Sequence, residues 1–307
     1  MAALIAVVGP TATGKSELAL GLAERLGGEL INADALQLYR GMDIGTAKVP
    51  VAARRGVPHH LLDVLDVTQE ASLAAYQRDA RAARDAILGR DGVAILVGGS
   101  GLYVRAVLDR LDIPPTDPVV RLRLEREAEK AGPEQMHARL AALDPVAAIA
   151  ILPGNVRRVV RALEVIELTG RPFSATLPRP EYDLPAVQIG LEAPRDVLDQ
   201  RIVTRVEAMW AGGLVDETIG LVAEGLLDGR TAPRALGYAQ VLRMLEGELD
   251  DLTARADTIV ATRRFARRQE SWFHRDARIH WMPHDAPDLL ERALSVIRTP
   301  GPDGRVP

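Results

Sequence analysis

Eight residues near the start constrain this chain more than any others. Gly9, Pro10, Thr11, Ala12, Thr13, Gly14, Lys15 and Ser16 match G-x-x-x-x-G-K-[ST] at every fixed position. The flanks agree. Leu4-Ile5-Ala6-Val7-Val8 reads as a buried strand, and Leu18, Leu22 and Leu26 recur at helical spacing behind the loop. Strand, glycine-rich turn and helix start make an anion site, because successive backbone N–H groups and the helix dipole converge there. Lys15 is placed to reach phosphate oxygens, and the Ser16 hydroxyl to ligate Mg²⁺. The loop asks for a polyphosphate or a diphosphate without saying which.

The pattern that follows is α/β. A second apolar run, Glu29 to Ala33, ends at Asp34, which places an acid at the carboxyl end of a strand, where ligands gather in open α/β sheets. Residues 39–49 read as a loop over the site, and residues 72–89 carry helical spacing. Val93-Ala94-Ile95-Leu96-Val97 is another buried strand and runs straight into Gly98-Gly99-Ser100-Gly101. Strands alternating with helices imply a phosphate-loop NTPase-like core, a parallel sheet flanked by helices. After Pro114-Pro115-Thr116-Asp117-Pro118 the sequence reads as helices only, broken at Gly132-Pro133, Asp144-Pro145 and Pro153-Gly154. Ala186 to Leu191 returns to the sheet, residues 197–209 and 215–226 read as helices, and Ile279 to Met282 reads as a last strand. The expected division is a discontinuous core, 1–115 with 186–297, an all-helical insertion, 116–185, and a disordered tail, 298–307.

Composition narrows the class. The 307 residues are 47% apolar and 26% charged, as in ordinary globular proteins, and none is cysteine, which excludes disulfides and thiolate metal sites. The first residues do not read as a signal peptide, and no stretch is long enough for a transmembrane helix. A cytoplasmic location and no membrane partner are expected. The net charge of −4 excludes a chain that is basic all over, but nucleic acid needs only one basic face.

Two stretches supply such faces. Arg157, Arg158, Arg161 and Arg171 fall in one helical stretch with Glu164 and Glu167; Arg263, Arg264, Arg267, Arg268, Arg275 and Arg278 are interleaved with Phe265, Trp272 and Phe273. Arginines can bind phosphates and aromatic rings can stack unpaired bases, although a charge run on a solvated helix gives the same pattern. Together, beside a phosphate site, they favour RNA. The core lacks the metal-holding aspartate that usually ends a second strand in phosphate-loop NTPases. Asp34 fits either a general base or metal second shell, or a turn-capping aspartate. His59 and His60 would point to opposite faces of a strand with no third ligand nearby, which argues against a metal there.

These residues resemble the bacterial tRNA dimethylallyltransferase (tRNA isopentenyltransferase) family. The resemblance rests on the loop 9–16, the block 34–48 (DALQLYRGMDIGTAK), Pro58 to Asp63, Val97 to Tyr103, Arg161 to Val165, Arg201-x-x-x-Arg205 with Gly213-Leu214, Gly237-Tyr238, and Thr262 to Gln269. It implies transfer of a dimethylallyl group from dimethylallyl diphosphate to N6 of the adenine 3′ of a tRNA anticodon, by a monomer using Mg²⁺ on Ser16. Lys15 and Arg205 would neutralise the leaving diphosphate held by residues 9–16, Thr11 would contact the reacting end, and Asp34 would take the N6 proton. Asp34, Ala35, Leu36, Gln37, Ser100, Arg121, Arg123, Arg157, Arg158, Arg161, Arg234, Gly237, Tyr238, Arg267, Arg268 and Gln269 would hold the tRNA, with the helical insertion gripping the anticodon stem-loop. Ala35 stands where this family commonly has serine, so a hydrogen bond near Asp34 is expected to be missing. Transfer to free AMP, ADP or ATP and a phosphate-loop small-molecule kinase are the competing readings. The insertion, the arginine-rich stretch and the 34–48 block weigh against them.

Overall fold

The computed structural model describes residues 4–176 and 181–298. The expected tail lies, beyond Arg298, outside the described residues. In chain order the elements are β1 (Leu4–Val8), α1 (Lys15–Leu26), β2 (Gly28–Asn32), β3 (His59–His60), α2 (Leu73–Leu88), β4 (Val93–Val97) and α3 (Gly101–Leu108). Four helices follow, α4 (Pro118–Ala131), α5 (Pro133–Leu143), α6 (Pro145–Ala150) and α7 (Val156–Thr169). The chain then gives β5 (Ala186–Glu192), α8 (Arg195–Ala211), α9 (Leu214–Ala223), α10 (Tyr238–Leu245), α11 (Asp251–Phe273), β6 (Ile279–Pro283) and α12 (Leu289–Arg298).

One compact unit comprises the chain up to Asp109 and from Tyr182 onward. Its sheet has the order β3-β2-β4-β1-β5-β6, every pairing parallel. β1 is central: Leu4 to Val7 pair with Ala94 to Val97 on one side, and Leu4 to Val8 with Ala186 to Gly190 on the other. Strands covered on both faces need continuous apolar runs, which is why β1 and β4 show no alternation. Leu18, Leu22 and Ala23 of α1 and Leu294 and Ile297 of α12 pack with Ile5, Ile95 and Ile189. A second core joins α8, α9, α10 and α11 around Tyr39, Met42, Trp210 and Tyr238.

The other unit, Arg110–Glu181, is helical, with α4 to α7 closing on Leu124, Met136, Leu140, Val159 and Leu163. Its breakers are helix starts. Pro118, Pro133 and Pro145 occupy first-turn positions, where a missing N–H costs nothing, and the Asp117 and Asp144 side chains cap α4 and α6.

Both junctions fall a few residues earlier than 116 and 185. Asp109 is wholly buried, bridges to Tyr182 and takes ion pairs from Arg105 and Arg278, so the first unit holds it; the Arg110 N–H donates instead to Glu181. Among helices, 197–209 extends to Arg195–Ala211, and 215–226 stops at Ala223, where Gly225 turns the backbone at φ 91°.

Candidate functional site

The site sits at the carboxyl ends of β1, β2 and β4, the usual ligand edge of a parallel sheet. β1 leaves the sheet through Gly9 at φ 132°. A Cβ there would lie 2.5 Å from the Leu191 carbonyl oxygen, so only glycine lets the loop turn against β5. Ala12 also has positive φ, 66°, and Gly14 at φ 92° begins α1. The Pro10 carbonyl accepts from Thr13 Oγ1 at 2.9 Å and from Lys15 Nζ at 2.6 Å, which ties the turn to its lysine. Arg205 of α8 donates Nη1 to Thr11 Oγ1 at 3.0 Å.

Asp34 follows β2. The Asn32 side chain receives the Asp34 N–H at 2.9 Å and donates to the Asp34 carbonyl at 2.9 Å, and Asp34 Oδ1 accepts the Leu36 N–H at 3.0 Å. The turn-capping role is therefore real, yet the same carboxylate lines the cleft with Lys15 and Arg205. Enclosure by protein pushes the Asp34 carboxyl up, only partly offset by the Leu36 N–H and the nearby Lys15 and Arg205. Enclosure, with the Arg205 charge, takes the Lys15 ammonium down to about 7, against the pull of Asp34.

The cleft encloses about 520 Å³ between Lys15, Ser16, Asp34, Gln37, Gly99 and Arg205. A narrower recess of about 70 Å³ meets it along Thr11, Asp34, Thr46, Arg205 and Phe265 and is lined by Leu36, Val206, Met209 and Leu236. One end is thus cationic and rich in N–H donors, the other apolar. Among the described residues no group of three or more His, Asp or Glu could hold a metal. The donor set fits Mg²⁺ in one manner: the exposed Ser16 hydroxyl on the cleft wall supplies a hard oxygen, and bound phosphates and water complete the shell. His59 Nδ1 and His60 Nε2 are spent on the Val57 carbonyl and on Glu29.

Gln269 has another position than an RNA contact. It is buried, its Oε1 accepting the Thr11 N–H and its Nε2 donating to the Gly99 carbonyl, both at 2.9 Å. A Cβ on Gly99 would meet this amide at 2.2 Å, so the glycines that replace a metal-holding acid make room for a brace between two loops. Tyr238 is likewise inside, with Gly237. Its hydroxyl donates to Glu217 at 2.5 Å, and Glu217 accepts the Ile44 N–H at 2.9 Å. Lys48, also buried, holds the Tyr39 carbonyl, Asp43 and Asp63. These contacts set the 34–48 loop over the cleft; Lys48 belongs to that block, whereas nothing in the sequence marks Glu217. Ala35 keeps a backbone tie, its N–H donating to Ser100 Oγ at 3.4 Å, and Gln37 Nε2 donates to the Thr46 carbonyl at 3.1 Å.

Arg234, Arg267 and Arg268 are exposed on the first unit. Arg121, Arg123, Arg157, Arg158 and Arg161 belong to the helical unit. There Arg121 and Arg161 converge on the wholly buried Glu164 at 2.6 and 2.7 Å, and Arg161 also donates to the Pro114 and Pro115 carbonyls. Arg123 pairs with Glu127 and Glu167, while Arg157 and Arg158 stay exposed.

The IPP transferase family model matches residues 37–276. The chain is 62% identical to a tRNA dimethylallyltransferase of Thermobifida fusca, over 97% of this chain and 95% of that one. It is 60% identical to one of Salinispora arenicola, over 96% and 86%. A crystal structure of the tRNA isopentenylpyrophosphate transferase of Bacillus halodurans superposes with TM-score 0.70 at 39% identity, over 95% of this chain and 93% of that one. A eukaryotic dimethylallyltransferase acting on tRNA superposes with TM-score 0.82 at 24% identity, over 96% and 77%, and shares the fold.

Proposed function

This chain belongs to the IPP transferase family, and we propose that it transfers a dimethylallyl group from dimethylallyl diphosphate to N6 of the adenine 3′-adjacent to a tRNA anticodon. The observation that carries this is a single cleft, cationic at the phosphate loop and apolar in its recess, with Asp34 where the two meet. The diphosphate rests on the N–H groups of the loop between Lys15 and Arg205, and the five-carbon chain lies toward Leu36, Val206 and Met209. Ser16 would hold Mg²⁺, which when bound neutralises charge on the diphosphate.

The adenine N6 lone pair forms the new C–N bond to C1 of the dimethylallyl group as the C1–O bond breaks, its electron pair leaving with the diphosphate. Asp34 takes the proton released from N6. Its carboxyl, raised by enclosure, is a stronger base than an ordinary aspartate, and the Leu36 N–H fixes its direction. Lys15 and Arg205 stabilise charge that grows in the transition state, which lowers the barrier. Thr11, tied to Arg205 and through its N–H to Gln269, keeps the loop in register. Adenine must leave its stack to enter, as in base flipping. Exposed Arg267, Arg268 and Arg234, with Arg157 and Arg158 of the helical unit, bind RNA phosphates, and that unit grips the anticodon stem-loop. The enzyme acts as a monomer. The acceptor tRNA places the reaction in the cytoplasm; among the described residues no helix is long and apolar enough to cross a membrane.

Incubation with labelled dimethylallyl diphosphate, Mg²⁺ and either tRNA or AMP tests the proposal. Label is expected in tRNA, and label in AMP but not in tRNA would overturn it.

A further inference from the structure

Arg205 faces three cavities. Besides the cleft and its recess it lines a groove of about 700 Å³ that touches the phosphate loop at Ala12 and is bounded by Gln200, Arg201, Thr204 and, as its one acid, Asp196. Arg201 lies four residues before Arg205 on α8, so both guanidinium groups fall on one helical face. Like charges at this spacing repel, and enclosure chiefly, then the Arg201 charge, hold Arg205 below the usual arginine range against the pull of Asp34. Among the described residues no carboxylate forms an ion pair with Arg201. Its side chain is exposed, and its guanidinium lies 2.8 Å from the ring nitrogen Nδ1 of His284. The fold therefore keeps two neighbouring cations along a groove that reaches the phosphate loop at Ala12. An anion bridging Arg201 and Arg205 would remove that repulsion.

We propose that Arg201 is an outer diphosphate contact, a station in the groove through which the prenyl diphosphate reaches Arg205 and the phosphate loop and by which inorganic diphosphate leaves. This rests on the diphosphate reading of the cleft and extends it from the resting position to the route. A guanidinium exposed in an open groove acts mainly on capture, raising the local concentration of anions and their rate of arrival. It gives the Arg201-x-x-x-Arg205 motif a use for both of its arginines.

The test is titration of the full chain with inorganic diphosphate in Mg²⁺ buffer, beside steady-state kinetics. Arg201→Gln should weaken diphosphate binding roughly three- to tenfold, and Arg201→Glu more, since exposed charges act at that scale. KM for dimethylallyl diphosphate should rise in step, with kcat within about twofold and KM for tRNA unmoved. Arg201 is exposed, so unchanged thermal melting checks that the fold survives. Binding within twofold of the parent in both variants would overturn the inference, as would a change confined to KM for tRNA, which would make Arg201 an RNA contact. If the parent protein itself failed to bind diphosphate, the reading of the cleft would fall first and this inference with it.

Discussion

Asp34 and Glu164 are both withdrawn from bulk water, and the protein treats them in opposite ways. Glu164 has no exposed surface, and burial alone would raise its carboxyl. Arg121, the Thr116 hydroxyl, Arg161 and the Asp117 N–H hold it down at about 2 instead. Asp34 has a thinner set of partners, and its carboxyl ends above the ordinary value. The difference lies in donors, not in depth. A carboxylate with both oxygens satisfied, one by neutral donors and the other by two guanidinium groups, is a permanent anion and keeps arginines still. One short of donors is poised to accept a proton. The helical unit uses the first to fix its fold, and the cleft holds the second, as the proposed proton transfer requires.

Removing the basicity of Asp34 should have the largest effect. Asp34→Asn is expected to lower single-turnover transfer by about 10²- to 10⁴-fold, the usual contribution of a positioned base, with diphosphate and tRNA binding kept. Turnover like the parent's would mean that Asp34 only caps its turn. Glu164→Gln should instead leave diphosphate binding within twofold. It should cost about 3 kcal/mol of stability, because two arginines lose a buried counter-charge. The sign with pH follows. Folded Glu164 titrates near 2 and an unfolded glutamate near about 4.3, so its contribution is complete above that range and vanishes as pH falls toward 2. Denaturant melts of parent and variant should converge in acid, and a constant gap would refute the pairing.

Lys15 offers a third contrast. Free, it loses its proton near 7, whereas a bound anion favours the ammonium. Affinity for inorganic diphosphate should therefore fall by up to about tenfold per pH unit above 7, with proton uptake seen by calorimetry in two buffers. Equal affinity at pH 6 and 8 would contradict it. The smallest effect is expected from Arg267→Ala and Arg268→Ala, each weakening tRNA binding severalfold and reducing the slope of log affinity against log salt by about one. An unchanged slope would make them solvated bystanders.

Local pattern explains what was legible beforehand. The strand, loop and helix around residues 9–16 are contiguous, and Asp34 closes an apolar run, so spacing alone places both. Where a side chain points depends on partners far along the chain. Gln269 neighbours two arginines and reads as surface, yet its amide reaches Thr11, 258 positions away. The resemblance places Tyr238 on the tRNA, but Glu217 draws its hydroxyl inward. Arg161 reads as part of a basic face and the resemblance places Arg121 on the tRNA, because nothing in the sequence says that Glu164 lies buried between them. The glycines after β4 showed that a metal-holding acid was missing; the amide packed against Gly99 shows what took its space.

That amide has a mechanical consequence. α11 presents Arg267 and Arg268 outward and, one residue later, turns Gln269 inward to grip the loop through Thr11 and Gly99. The outward arginines and the inward amide belong to one unbroken helix, Asp251–Phe273, so no turn or loop separates the outer surface from the contact on the phosphate loop. The exposed face of α11 and the backbone of the phosphate loop are thus joined through a single side chain, Gln269.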